Sequence, residues 1–423
     1  KFFQGYLLFY SAVIKYTLFY STNTCSCVCW KLKWVCWSWG KLSQGLQNHH
    51  INIADHRHRH PHHSSPHHHF NFPICHTLFR RPCHSDHTTP TMANLHASLH
   101  HPTSREWTEP HLHPSSLIYP LFVTNRESTT EIQGFSPNMQ WGSGGGAHSF
   151  PDLVAHLAPL IAKGLRAVML FGVVQDKTPT GEMADDANTP VITCLRALTA
   201  NPITRDLMLC ADVCMCEYTD HGHCGVLKTV GPKGEEVIDN EPSCQRLATI
   251  ACAYAQAGAH CVCPSDMMDG RIGAIRQGLN AVGYSHVSIM AYTSKKASCM
   301  YSPFRAAVES SFKGNRKRYQ QPVGASGLGM RALKRDIAEG ADYVLVKPAL
   351  FYSDIIKTFA QQAERPVACY IVSGEYKMLK DYGENCGCLE NVVKESHVSM
   401  MRAGASILIT YFTPQILEWL PKW

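Results

Sequence analysis

From residue 117 onward the chain repeats one pattern eight times: a short apolar run, then a stretch with helical periodicity. The runs are 117–124 (LIYPLFVT), 166–173 (RAVMLFGV), 207–213 (LMLCADV), 260–266 (HCVCPSD), 287–293 (VSIMAYT), 343–348 (YVLVKP), 367–374 (VACYIVSG) and 407–413 (ILITYFT). They lack polar alternation, as expected of parallel strands covered on both faces. Amphipathic helix candidates lie at 152–163, 244–257, 273–281, 330–339, 354–363 and 389–402. Gly164, Gly258, Gly283, Gly340 and Gly404 stand where such helices must stop. An open doubly wound sheet would carry a Gly-rich dinucleotide fingerprint, and none is present. The pattern therefore predicts an α/β fold, a (β/α)8 TIM barrel over 117–423.

What precedes residue 92 is different in kind. Residues 1–91 hold 9 of the 39 Lys+Arg, 2 of the 33 Asp+Glu, 13 of the 25 His, 4 of the 8 Trp and no Met. The remainder carries 30 Lys+Arg against 31 Asp+Glu, a net of −1, which argues against a nucleic-acid partner. The first Met is Met92, so 1–91 is expected to be translated upstream sequence or a leader. Its apolar stretch at 2–20 is interrupted by Lys15 and fits neither a signal peptide nor an uncharged membrane span. The His-rich run at 49–69 has no defined ligand spacing. Residues 92–116, rich in His and Pro, are expected to form an extended N-terminal arm that lies against another subunit. With 45% apolar and 17% charged residues, the chain can bury a sizeable core and is not globally disordered.

Barrel enzymes carry their reactive groups at the C-terminal ends of the strands. Here those ends supply Asp212 after strand three, Ser265-Asp266 after strand four, Lys295-Lys296 after strand five, Lys347 after strand six, Ser373 after strand seven and Tyr411 in strand eight. Cys214, Cys216 and Cys224 fall within eleven residues of one polar loop. Three thiolates with one open position is the count for a catalytic zinc. His221 and His223 stand close by and can supply a second metal or a proton relay. The absence of small-scaffold cysteine spacing points to a reducing compartment. Lys295 (or Lys296) and Lys347 follow apolar strands, where burial and a neighbouring cation lower an amine's pKa and favour Schiff-base chemistry. The long segment 301–329 holds Arg305, Lys313, Arg316, Lys317, Arg318 and Gln320 among aromatic residues. It is expected to be a lid whose arginines hold a substrate carboxylate.

Several segments, in order, identify a resemblance: SLIYPLFVT, DVCMCEYTDHGHCG, PSDMMDGR, MAYTSKKASCMYSPFR, ADYVLVKP, YIVSGEY and ITYFTPQ. From about Leu95 onward the chain resembles the porphobilinogen synthase (5-aminolevulinate dehydratase) family, of the zinc-dependent type. That resemblance implies condensation of two 5-aminolevulinate molecules, with loss of two waters, in tetrapyrrole (heme) biosynthesis. It implies that Lys347 holds the first substrate as a Schiff base and Lys295, rather than Lys296, the second. Cys214, Cys216 and Cys224 become the zinc ligands. Ser373 and Tyr411 become the binders of the first carboxylate, and Arg305, Arg316 and Gln320 those of the second. Asp212 and Ser265 become polar groups near the amines. Arg318 stands where some animal members carry a Cys that joins the counterpart of His223 in a second zinc site. The family further implies a cytoplasmic homo-octamer. The alternative function is a Schiff-base aldolase on the same barrel, which needs one lysine and no thiolate metal.

Overall fold

The computed structural model describes residues 96–423, apart from Ala147 and Lys313. The leader 1–91, its His-rich run, its apolar stretch and residues 92–95 lie outside the described residues. Eight strands form the barrel: β1 (Leu117–Thr124), β2 (Ala167–Val173), β3 (Met208–Val213), β4 (Cys261–Pro264), β5 (Ser288–Lys295), β6 (Tyr343–Lys347), β7 (Val367–Tyr370) and β8 (Ile407–Ile409). Each pairs in parallel with the next, and β8 pairs with β1 to close the ring. Seven of the eight apolar runs contain a barrel strand, and the fifth, 287–293, overlaps one that continues to Lys295.

The strands form here because almost every side chain in them is withdrawn from water on one face or the other. All eight residues of β1 and all seven of β2 are buried. The inner faces meet in the barrel core, and the outer faces meet helices such as Pro151–Ala162, Asn240–Ala257 and Leu389–Ala403. Fully burying one such side chain is worth about 1.5–3 kcal/mol. The two last helices end at Gly258 (φ 111°) and Gly404 (φ 114°), a conformation that a side chain with a Cβ resists.

The differences from the sequence reading are local. The helix Pro190–Ala200 buries Val191, Ile192, Leu195 and Leu198 between β2 and β3, and was not among the helices singled out. The seventh run does not continue as strand to residue 374. It stops at Tyr370, and a helix Ser373–Asn385 begins, its Glu375 carboxylate accepting from the Val372 amide at 2.9 Å. Ser373 is thus the first residue of a helix rather than the end of a strand. Likewise β8 stops at Ile409, leaving Tyr411 just beyond it. Segment 301–329 includes a short helix, Ser302–Ala307. A hairpin, Leu227–Val230 with Glu235–Ile238, follows the cysteine loop. At the N-terminal end of the described residues, the helix Pro102–Glu106 buries no side chain, and Trp107 is 79% exposed. No described helix is long and apolar enough to cross a membrane.

Candidate active site

Lys295 and Lys347 are the last residues of neighbouring parallel strands and are register partners. Both are buried. Side chains alternate along a strand, so Lys295 and Lys296 must point to opposite faces. Lys296 turns outward, where its Nζ donates to Gln321 Oε1 at 3.2 Å and to the Ala325 carbonyl. Lys296 is a structural cation, and Lys295 is the residue beside Lys347.

The Lys347 ammonium lies 4.1 Å from the Tyr370 ring centroid and 5.1 Å from those of Tyr292 and Phe304. Aromatic walls displace water without offering it a carboxylate. Burial, and then the charge of Lys295, lower its pKa to about 7. Lys295 goes the other way. Burial alone would lower its pKa, but negative charge on the sulfur cluster, Cys224 first and then Cys214 and Cys216, outweighs burial and raises it. The expectation that both lysines are depressed therefore fails at Lys295, because its neighbours are anions. Lys295 also donates to the Ser265 carbonyl.

Asp212, at the end of β3, accepts from Ser265 Oγ at 3.0 Å through one oxygen, while the other is buried without a partner. Burial and the nearby Glu217 raise its pKa to about 8, against the pull of Lys347 and Lys295. A tight turn follows β3, with the Tyr218 and Thr219 amides both donating to the Met215 carbonyl. It folds the loop back so that Cys214, Cys216 and Cys224 bring their sulfurs within 4.8 Å of one another, all buried. The Cys214 and Cys216 sulfurs are 3.3 Å apart, and Cys216 donates to Glu217 Oε2 at 3.3 Å. An all-sulfur set of this count fits a borderline-soft ion such as zinc better than magnesium, which prefers oxygen.

Segment 301–329 folds over this floor. Arg316 donates to the Gly222 carbonyl at 2.8 Å, and its guanidinium lies 4.6 Å from the Phe312 ring centroid. Arg305 lies 5.2 Å from the same ring. Arg305 Nε, Arg316 Nε and Gln320 Nε2 are buried donors with no partner. Unpaired buried donors are costly, so three close in sequence point to an anionic ligand. One cavity is lined by Cys216, Ser265, Lys295, Lys347, Arg305 and Arg316, together with Glu217 and Phe304. Gln320 does not line that cavity; it lines a separate groove with Tyr319.

Ser373 and Tyr411 reach Lys347 through its aromatic box. Ser373 Oγ accepts from the Phe304 amide at 2.9 Å, and the Tyr411 hydroxyl is 2.9 Å from that of Tyr370. His223 faces Tyr319, with Nδ1 3.0 Å from its hydroxyl, and belongs to none of the metal-ligand clusters among the described residues. Arg318 pairs with Glu235 at 3.0 Å. Sequence reasoning missed Glu217, Tyr292 and Tyr370. The signals were a carboxylate inside the cysteine loop and tyrosines on β5 and β7 inside otherwise aliphatic strands.

The family model for delta-aminolevulinic acid dehydratase matches residues 93–419. A Dictyostelium discoideum delta-aminolevulinic acid dehydratase is 45% identical over 335 residues, covering 77% of this chain and 96% of that one. The Bos taurus protein of the same name is 43% identical over 337 residues, 78% of this chain and 98% of that one. A crystal structure of delta-aminolevulinic acid dehydratase (porphobilinogen synthase) from Toxoplasma gondii ME49, in complex with the reaction product porphobilinogen, superposes with a TM-score of 0.72 at 34% identity. It covers 78% of this chain and 92% of that one. On these matches, the chain belongs to the delta-aminolevulinic acid dehydratase family.

Proposed function

We propose that this protein is a lyase that condenses two 5-aminolevulinate molecules into porphobilinogen, releasing two waters; the family's names give the dehydration of 5-aminolevulinate and the product porphobilinogen. The observation that carries the reading is the register pairing of two buried lysines beside a three-thiol cluster. Lys347, with a pKa of about 7, offers a free amine near neutrality. It attacks the ketone of the first substrate, and the carbonyl oxygen leaves as water when the imine forms. Lys295, which must first give up its proton, holds the second substrate as an imine too, and the second carbonyl oxygen leaves as water. Each imine is an electron sink that acidifies the adjacent carbon. Asp212, largely protonated at neutral pH, can give and take a proton beside both amines. Ser265 fixes its carboxyl.

Ser373 and Tyr411 hold the first carboxylate. Arg305, Arg316 and Gln320 hold the second, which gives their unpaired donors an acceptor. Two unlike clamps let two identical, flexible molecules take different parts, and such orientation supplies much of the barrier reduction. Cys214, Cys216 and Cys224 hold zinc, and His223 is the candidate for a second metal. Zinc, when bound, polarises a carbonyl oxygen or activates a hydroxide. The Schiff-base aldolase reading is disfavoured by the second lysine and by the thiols. The exposed helix Pro102–Glu106 and Trp107 support an arm that covers a neighbouring subunit in a homo-octamer. The free buried thiols support a reducing, cytoplasmic location.

The reading is tested by incubating the protein with 5-aminolevulinate, trapping imines with borohydride and mapping the modified peptides. Adducts are expected on Lys347 and Lys295. An adduct on Lys296, or turnover with neither lysine modified on trapping, contradicts it.

A further inference from the structure

A second sulfur cluster sits inside the barrel and has no part in the chemistry above. Cys210 lies on β3, and Cys261 and Cys263 lie on β4. Cys210 is the register partner of Cys261, and Asp212 that of Cys263. Alternation places Cys210 on the face of Asp212, so all three thiols point into the barrel. The neighbouring inward residue on β2 is Met169, the register partner of Cys210, whose sulfur is 3.4 Å from the Tyr292 hydroxyl on β5.

The three cysteines are fully buried, and their sulfurs lie within 4.8 Å of one another. The Cys261 and Cys263 sulfurs are 3.8 Å apart. One ion with metal–sulfur bonds of about 2.3 Å sets sulfur–sulfur edges of about 3.8–4.0 Å, whether tetrahedral or trigonal. Barrel interiors are ordinarily filled by Val, Ile and Leu. Three convergent thiols do that packing less well, and they add a ligand set.

We propose that Cys210, Cys261 and Cys263 form a buried, all-sulfur site for a soft, thiophilic metal cation, separate from the Cys214, Cys216 and Cys224 cluster. Thiolates select such ions over magnesium or calcium. The two clusters differ in kind. Cys216 faces the substrate cavity and bonds to Glu217, whereas the inner cluster includes no carboxylate. An ion there ties β3 to β4.

The test uses the full chain, reduced, stripped and titrated with isotopically enriched cadmium. Bound equivalents are counted by mass spectrometry, and the sites are resolved by cadmium NMR. The variant carrying both Cys261→Val and Cys263→Ala is expected to bind one equivalent fewer than wild type and to lose one sulfur-rich resonance. Cys214→Ala is expected to lose a different one. Cys210→Ala, on the other strand, must delete the same resonance as the double variant, and it decides the matter if that variant does not fold. Unchanged stoichiometry and spectra in the inner-cluster variants overturn the proposal. So does a thiol titration that finds these cysteines oxidised to a disulfide in the isolated protein. Neither result bears on turnover of 5-aminolevulinate.

Discussion

Replacing Lys295 by Met tests whether the neighbouring charge tunes Lys347. The two are register partners on strands about 4.8 Å apart. Two like charges 5–6 Å apart, at an effective dielectric of about 20, repel by about 3 kcal/mol. That corresponds to roughly two pK units, and screening reduces it to between one and two. Burial stays, and the carboxyl of Asp212 and the thiol of Cys216 still favour the cation. The Lys347 pKa should therefore rise from about 7 to about 8–9. Its free-amine fraction at pH 7 should fall from about one half to about 1–10%. The assay is the rate of borohydride trapping of 5-aminolevulinate on Lys347 across pH, with a chelator present so that Lys295 remains a cation in the wild type. The midpoint should move up by one to two units, with a five- to fiftyfold lower rate at pH 7 that recovers in alkali. A midpoint that stays at 7 or falls would refute the argument that Lys295 depresses Lys347.

Three further outcomes follow from the same structure. The native pKa of Lys347 lies below the ordinary 10.5, so between pH 7 and 10.5 the unfolded chain binds more protons than the folded one. Its contribution to stability therefore rises with pH across that window. Lys347→Met should abolish turnover, raise Tm at pH 7 and lose that part of the rise, and a parallel pH–Tm curve would contradict this. Arg271 is fully buried, 3.4 Å from Asp266 and 3.7 Å from Asp336. Arg271→Met leaves the buried Asp266 carboxylate without its cation, while Asp336 keeps Arg335 at 2.9 Å, and should cost about 3–5 kcal/mol by chemical denaturation; a loss below about 1 kcal/mol counts against the network. Gly222 has φ +69°, and a Cβ there would come within 2.5 Å of the Phe312 amide nitrogen. Gly222→Ala should displace the segment that carries Arg316 and raise KM several-fold with little loss of fold, which circular dichroism and steady-state kinetics will separate.

Much of the barrel was legible because parallel strands buried on both faces read as unbroken apolar runs, and all eight did. Their ends were less so. Ser373 looked like the close of a strand because VSG continues an apolar run, whereas Glu375 caps the helix that starts there. The choice between Lys295 and Lys296 rests on which face of β5 is inward. That face is set by pairing with Lys347, fifty-two positions away, and no local pattern encodes it. The upward shift of Lys295 was hidden for the same reason. It arises from the sulfurs after β3 folding onto the end of β5, a contact across about seventy residues of chain, whereas the lowering of Lys347 comes from burial and the neighbouring cation, as the strand-end position predicts. Glu217 lay in plain sight among the cysteines, but its burial beside Asp212 depends on the turn after β3.

The proposed reaction is porphobilinogen formation with a metal held by Cys214, Cys216 and Cys224. The most direct measurement is product formation by the purified chain from 5-aminolevulinate before chelation, after chelation and after zinc is restored. Porphobilinogen is expected at the start, with loss on chelation, return with zinc, and no return in Cys214→Ala. A folded, zinc-loaded protein that forms no porphobilinogen would contradict it.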